Sequence, residues 1–230
     1  MMQKETRKVS SLYVVLGCLF VTCLLISNIV AGKLISVLGM VLPAAVILFP
    51  VTYIFGDILT EVYGFKRSRL IIWTGFACNL LMAAVFMLVV ALPHPDFWQS
   101  QNAYQVVLGM TPRVVAASLV AYFLGEFCNA VVLSKMKLLT RGKWLFTRTI
   151  GSTIVGEAID TAVFITIAFA GTVAVPVLLS MMAAQYVFKV LYEIAATPLT
   201  YLAVGWVKKK EAVDTYDWDV EYNPFSLEID

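Results

Sequence analysis

Residues 150–170 read IGSTIVGEAIDTAVFITIAFA. At ~1.5 Å of rise per residue, a helix of this length covers the ~30 Å hydrocarbon core of a bilayer. Yet it carries Glu157 and Asp160, placed i, i+3 on one face, and no basic residue. A charge at the centre of a span costs ~2.5–3.5 kcal/mol on insertion scales. Two acids in one apolar stretch therefore predict a membrane helix with an inward-facing polar stripe.

The rest of the chain has the same character. Of 230 residues, 60% are hydrophobic and 14% charged, and the mean hydropathy is +0.85. A soluble domain is about one quarter charged. This composition excludes a compact soluble enzyme and a disordered regulator, and it predicts an all-α polytopic membrane protein. Five more stretches reach span length: 11–31, 35–55, 70–92, 114–133 and 177–207. The second contains Pro43 and Pro50. The last is longer than a straight span needs, so it should tilt, kink at Pro198 or project past the bilayer. Residues 11–31 read as an uncleaved span, because no small-residue cleavage site separates them from a polar domain.

Basic residues set the orientation. One side collects Lys4, Arg7, Lys8, Lys66, Arg67, Arg69, Lys135, Lys137, Arg141, Lys143, Arg148 and Lys208 to Lys210, which is 14 of the 17 Lys and Arg. Lys33 and Arg113 fall on the other side. Both termini are therefore expected in the cytoplasm. The implied organisation is a cytoplasmic N-terminus (1–10), a six-span membrane domain (11–207) and a mobile, acidic cytoplasmic tail (208–230) with no assigned function. Six spans divide into two sets of three, which inverted repeats require. The related strings Gly56-Asp57-Ile-Leu-Thr-Glu61 and Gly156-Glu157-Ala-Ile-Asp160-Thr161 are too short to establish a repeat.

Cys18, Cys23, Cys78 and Cys128 lie in apolar runs and read as small buried hydrophobes, and His94 is the single histidine. No metal site, no cofactor and no catalytic residues are expected. The chain has no phosphate loop, GxSxG or HExxH motif, so neither an enzyme nor a self-contained ATP-driven pump is indicated. The net charge of +2 gives no reason to expect nucleic acid. The expected partners are the lipid bilayer and a small molecule, and a homodimer stays open.

The chemistry lies in polar groups within the spans. Gln185, Lys189 and Glu193 follow one another at i, i+4; Glu126 and Asn129 share a face of the fourth span. With Glu157 and Asp160 these stripes should converge on one internal cavity, since lipid would reject them. Four carboxylates there face Lys189, so protons, water or a ligand's donors must balance the set. A bundle-locking ion pair is the structural alternative for any single pair: Lys189 with Asp160, or with Glu193 on its own helix.

Several landmarks occur in order: Ser27-Asn28; Phe49-Pro50 followed by Asp57-Ile-Leu-Thr-Glu61-Val-Tyr63-Gly64; Gly125-Glu126 with Asn129; Gly156-Glu157-Ala-Ile-Asp160-Thr161; and Tyr186-Val-Phe188-Lys189. From about Ser27 to Pro198 the chain resembles the queuosine precursor transporter family, also called the vitamin uptake transporter family. The resemblance implies six helices in the cytoplasmic (inner) membrane and import of 7-cyano-7-deazaguanine and 7-aminomethyl-7-deazaguanine, and the leading expectation is a secondary transporter. The alternatives are a substrate-binding subunit served by a separate ATP-driven module, or an importer of another heteroaromatic nutrient. A looser similarity links the chain to substrate-binding subunits of energy-coupling-factor importers. Those often dock their partner through an AxxxA face on the first span, where this chain has only Ala31. The candidate substrate-binding residues are Asn28, Asp57, Glu126, Asn129, Glu157, Asp160, Gln185 and Lys189. A deazaguanine offers N–H donors that a carboxylate can accept in pairs, and its O6 wants a donor such as Lys189, Gln185 or Asn129. Phe49, Tyr53, Tyr186 and Phe188 are candidate aromatic faces.

Overall fold

The computed structural model describes residues 10–31, 33–37, 40–109 and 112–226. It is helical apart from one short ribbon. Helix α1 (Ser11–Val30) opens at Ser10, whose hydroxyl accepts from the Tyr13 amide at 3.0 Å, an N-cap that satisfies one free donor of the first turn. Strands β1 (Leu34–Val37) and β2 (Met40–Pro43) pair antiparallel, with Leu34 opposite Pro43 and Val37 opposite Met40. A short 3-10 turn, Ala44–Ile47, leads into α2 (Phe49–Tyr63). Then follow α3 (Phe65–Ala91), α4 (Gln101–Leu108), α5 (Pro112–Leu139), α6 (Leu145–Phe169) and α7 (Val175–Glu211).

Among the described residues, five helical stretches are long and apolar enough to cross a membrane; they contain α1, α3, α5, α6 and α7. The chain is a multi-pass membrane protein. The expected continuous span over 35–55 is corrected: ribbon, 3-10 turn and the first half of α2 occupy it. The two prolines explain why. Proline in a helix interior removes a hydrogen bond and clashes with the preceding turn. Here Pro43 ends β2 and Pro50 sits in the first turn of α2, both tolerated places. Helix α2 has 15 residues, about 22 Å at ~1.5 Å each, too short to cross alone. Almost every residue from Pro50 to Tyr63 is buried. A helix too short to span is tolerated at membrane depth when protein surrounds it, and α2 is so surrounded. The halves also differ here, since the corresponding middle segment of the second half, α6, is one unbroken helix.

Helix α7 runs 37 residues through Pro198 without a break, about 55 Å, so it projects beyond the hydrocarbon. Helices α5 and α6 make the closest crossing. A Cβ placed on Gly156 would lie 2.8 Å from the Asn129 Cβ and 3.0 Å from the Gly125 carbonyl oxygen. Only glycine allows that approach.

The stretch 212–226 is not the loose tail that its composition suggests. Thr215 N–H donates to the Val62 carbonyl at 3.1 Å. The Asp217 carboxylate accepts from the Phe65 amide at 3.2 and 3.0 Å and from the Ser134 hydroxyl, so a residue 152 positions away caps α3. Gly64, at φ +85°, makes the one-residue turn between α2 and α3 that exposes this amide. Arg69 and Trp73 donate to the carbonyls of Asn223 and Pro224, both at 2.7 Å. The Tyr222 ring packs 5.0 Å from Phe65. The cysteines also depart from expectation: Cys18 is exposed and the other three are half-buried, since they sit on outward faces of apolar helices.

Candidate functional site

The glycine crossing of α5 and α6 sets Glu126 and Asn129 of one helix beside Glu157 and Asp160 of the other. Helix α7 closes the group with Lys189. Its Nζ lies 2.6 Å from Glu157 Oε2 and 2.6 Å from Asp160 Oδ2, because the two acids share a face one turn apart. The same ammonium sits 4.4 Å from the centre of the Phe49 ring, a cation–π distance. Phe49 and Tyr53 stand one turn apart on α2, with ring centres 5.7 Å apart. Buried Tyr53 adjoins Glu126, Glu157 and Asp160. Glu126 is buried within the field of Glu157, Asp160 and Lys189. The Lys189 side chain keeps 17% exposure.

One turn further along α2, α5 and α7 lies a second layer. Asn129 Nδ2 donates to Asp57 Oδ1 at 2.9 Å. Glu193, buried, follows Lys189 by one turn. Five carboxyl groups across the two layers thus share one ammonium. At low dielectric such a set needs protons, a cation or a ligand's donors.

Of the predicted residues, the structure gathers Asp57, Glu126, Asn129, Glu157, Asp160 and Lys189. Gln185 lies one turn before Lys189 on α7, half-buried. Asn28 falls elsewhere. Its Nδ2 donates to Asn79 Oδ1 at 3.1 Å, and Ser118 donates to its Oδ1 at 3.3 Å, at a cleft also lined by Phe86, Leu108 and Val115. Tyr186 donates to the Ile154 carbonyl at 3.4 Å on an exposed face, so Phe49 and Tyr53 are the aromatics of the site.

A third layer, at the end where the basic residues collect, escaped the sequence reading. Glu61 accepts from Arg148 Nε and Nη2, both at 2.7 Å, and from Lys208 at 2.6 Å. Lys137 lies 3.6 Å from Glu61 and 2.5 Å from Asp214, and Lys208 lies 2.9 Å from Asp214. Burial opposes the charge of Asp214, but hydrogen bonds from Lys137 and Lys208 outweigh it and hold this carboxyl below its usual range. Arg148 also donates to the carbonyls of Lys143 and Gly142. Reading Arg148 as a topogenic loop charge gave no hint of this role. At the opposite end Arg113 donates to the carbonyls of Ile167 and Ala170, capping α6.

A family model described as "Putative vitamin uptake transporter" matches residues 43–203, which contain every member of the first two layers. A curated relative from Bacillus subtilis (strain 168), named "Probable queuosine precursor transporter", is 26% identical over 186 residues, covering 80% of this chain and 81% of the relative. The "Queuosine precursor transporter" of Escherichia coli (strain K12) is 27% identical over 143 residues, 62% of each chain. No solved structure matches. The matched region covers well over half of the sequence and holds the first two polar layers, so the chain belongs to the vitamin uptake transporter family, whose members are membrane transporters and not enzymes.

Proposed function

We propose that this protein imports queuosine precursors, 7-cyano-7-deazaguanine and 7-aminomethyl-7-deazaguanine, across the cytoplasmic membrane as a secondary transporter. Both termini lie in the cytoplasm, in keeping with the gathering of Lys137, Arg148 and Lys208 at one end. The observation that carries the reading is the Lys189 layer: one ammonium shared by Glu157 and Asp160 against the Phe49 ring.

That arrangement suits a flat, donor-rich base. The N1–H and exocyclic amine of a deazaguanine can be accepted by Glu157 or Asp160, and Lys189 can swing to O6 once one carboxylate has turned to the ligand. Phe49 and Tyr53 supply a stacking face. Glu126 and Gln185 stand beside this layer, and Asn28, in the cleft with Asn79, would meet the substrate on its way in. Support for the substrate class comes from the names of the two relatives.

The experiment is uptake of 7-cyano-7-deazaguanine by the purified protein in liposomes, without ATP and without a partner. Accumulation that follows an imposed ion gradient is expected. Substrate binding with no transport under any gradient would contradict secondary transport and favour a binding subunit that needs an ATP-driven module.

A further inference from the structure

The second layer does not share the chemistry of the first. Glu193 is 1% exposed, and neither of its carboxylate oxygens meets a hydrogen-bond donor among the described residues. Asp57 is fully buried and only its Oδ1 is bonded, to Asn129. Asn129, also 1% exposed, leaves its own Oδ1 without a donor. An amide carbonyl wants a proton donor or a cation as much as a carboxylate does.

The charged surroundings offer no local relief. Asp57 faces Glu193, Glu126 and Glu61, and Glu193 faces Glu157. Lys189, the nearest cation along α7, is held by Glu157 and Asp160. The cations of the basic end are held by Glu61 and Asp214. Two carboxyl groups and an amide oxygen, buried without a base among the described residues, incur a desolvation cost that a bound positive charge removes.

We propose that Asp57, Glu193 and Asn129 form a separate site for a small monovalent cation, a proton or Na+, one turn from Lys189 toward the basic end. The oxygens free to receive it are Asp57 Oδ2, both Glu193 oxygens and Asn129 Oδ1. Such hard donors suit either ion. The site joins α2, α5 and α7, which also carry Phe49, Glu126 and Lys189, so its occupancy bears directly on the geometry of the substrate layer. That coupling role rests on the transport reading above; the cation site itself does not.

The test begins with the substrate-free purified protein, so that it stands apart from the substrate assignment. Infrared difference spectra across a pH range read the proton arm, and melting in Na+ against K+ at fixed pH reads the sodium arm. In wild type, either a protonated carboxyl band or a Na+-specific rise in melting temperature is expected. Glu193→Gln and Asp57→Asn should each remove it while the protein stays folded, and either variant alone suffices if the other fails to fold. The proposal is overturned if wild type shows neither signal, or if the signal that wild type shows persists in a folded variant. With substrate, Glu193→Gln should bind 7-cyano-7-deazaguanine like wild type and exchange it, while gradient-driven accumulation falls at least about tenfold. A tenfold loss of binding in this variant would instead make Glu193 a substrate reader and overturn the proposal. Failure of wild type to bind or move the deazaguanine would count against the substrate assignment and leave the substrate-free readouts to decide the cation site.

Discussion

The bundle contains two buried charge clusters built in opposite ways. Around Glu61, two carboxylates meet three cations, and Arg148 also reaches the carbonyls of Gly142 and Lys143. Around Lys189, one ammonium answers Glu157 and Asp160 while Glu126 stands by, and further acids lie one turn away. In the first cluster each carboxylate meets at least two cations. In the second the acids outnumber the cations among the described residues. A matched buried cluster fixes helix positions, whereas an unmatched one is poised for something that arrives from outside. The Glu61 cluster ties α2, α5, α6 and α7 together at one end, and these are the helices that carry the unmatched residues.

The contrast is broken most sharply by removing matched and surplus charges in parallel. Arg148→Ala leaves Glu61 without its bidentate partner, which should cost about 3 kcal/mol or more. Glu126→Gln removes a surplus acid without stranding a partner and should be neutral or stabilising. Unfolding of both variants in detergent reads the difference. Equal losses would mean that the two clusters are equivalent. Gly156→Ala pushes a methyl against Asn129 and the Gly125 backbone and should cost about 1–3 kcal/mol. Because this crossing aligns the Lys189 cluster, substrate affinity should fall along with the melting temperature.

A double-mutant cycle on Lys189→Met and Asp160→Asn should give a coupling of about 0.5–3 kcal/mol, the double change being milder than the singles predict. Strictly additive losses would reject the 2.6 Å contact as an energetic pair. The smallest effect belongs to Asp214, whose side chain is 42% exposed. Its folded-state carboxyl is held below the usual range by Lys137 and Lys208, against burial. The stability it contributes is therefore present above the ordinary carboxylate value of about 3.9 and lost as pH falls through the lower folded value. Exposure screens the pair to about 1 kcal/mol at most. Melting curves of wild type and Asp214→Asn should converge at acid pH.

Much of this arrangement was legible in the chain. The crossing helices stand out as long apolar runs, and spacing and depth put Asp160 and Glu193 forward as partners of Lys189, which the fold pairs with Asp160 and Glu157. The middle of the first half did not, because hydropathy scores residues such as Val37, Val41 and Leu42 alike in strand or helix. Only Pro43 and Pro50 hinted at the break. The Glu61–Arg148 pair spans 87 residues, and the positive-inside rule accounts for Arg148 without invoking a partner. Asp217 lay hidden among the tail's other acids, since nothing local marks a carboxylate that caps a helix 152 residues away. Local periodicity carries helices and stripes; pairing between distant segments comes only with packing.

The most direct test of the central claim titrates 7-cyano-7-deazaguanine into detergent-purified wild type, Glu157→Gln and Asp160→Asn, with melting followed on the same samples. A buried donor left unpaired costs ~1–3 kcal/mol. At least one of these variants should therefore bind about tenfold or more weakly while still folded. Wild-type affinity in both folded variants would contradict the account and pass the role of reading the base to Glu126.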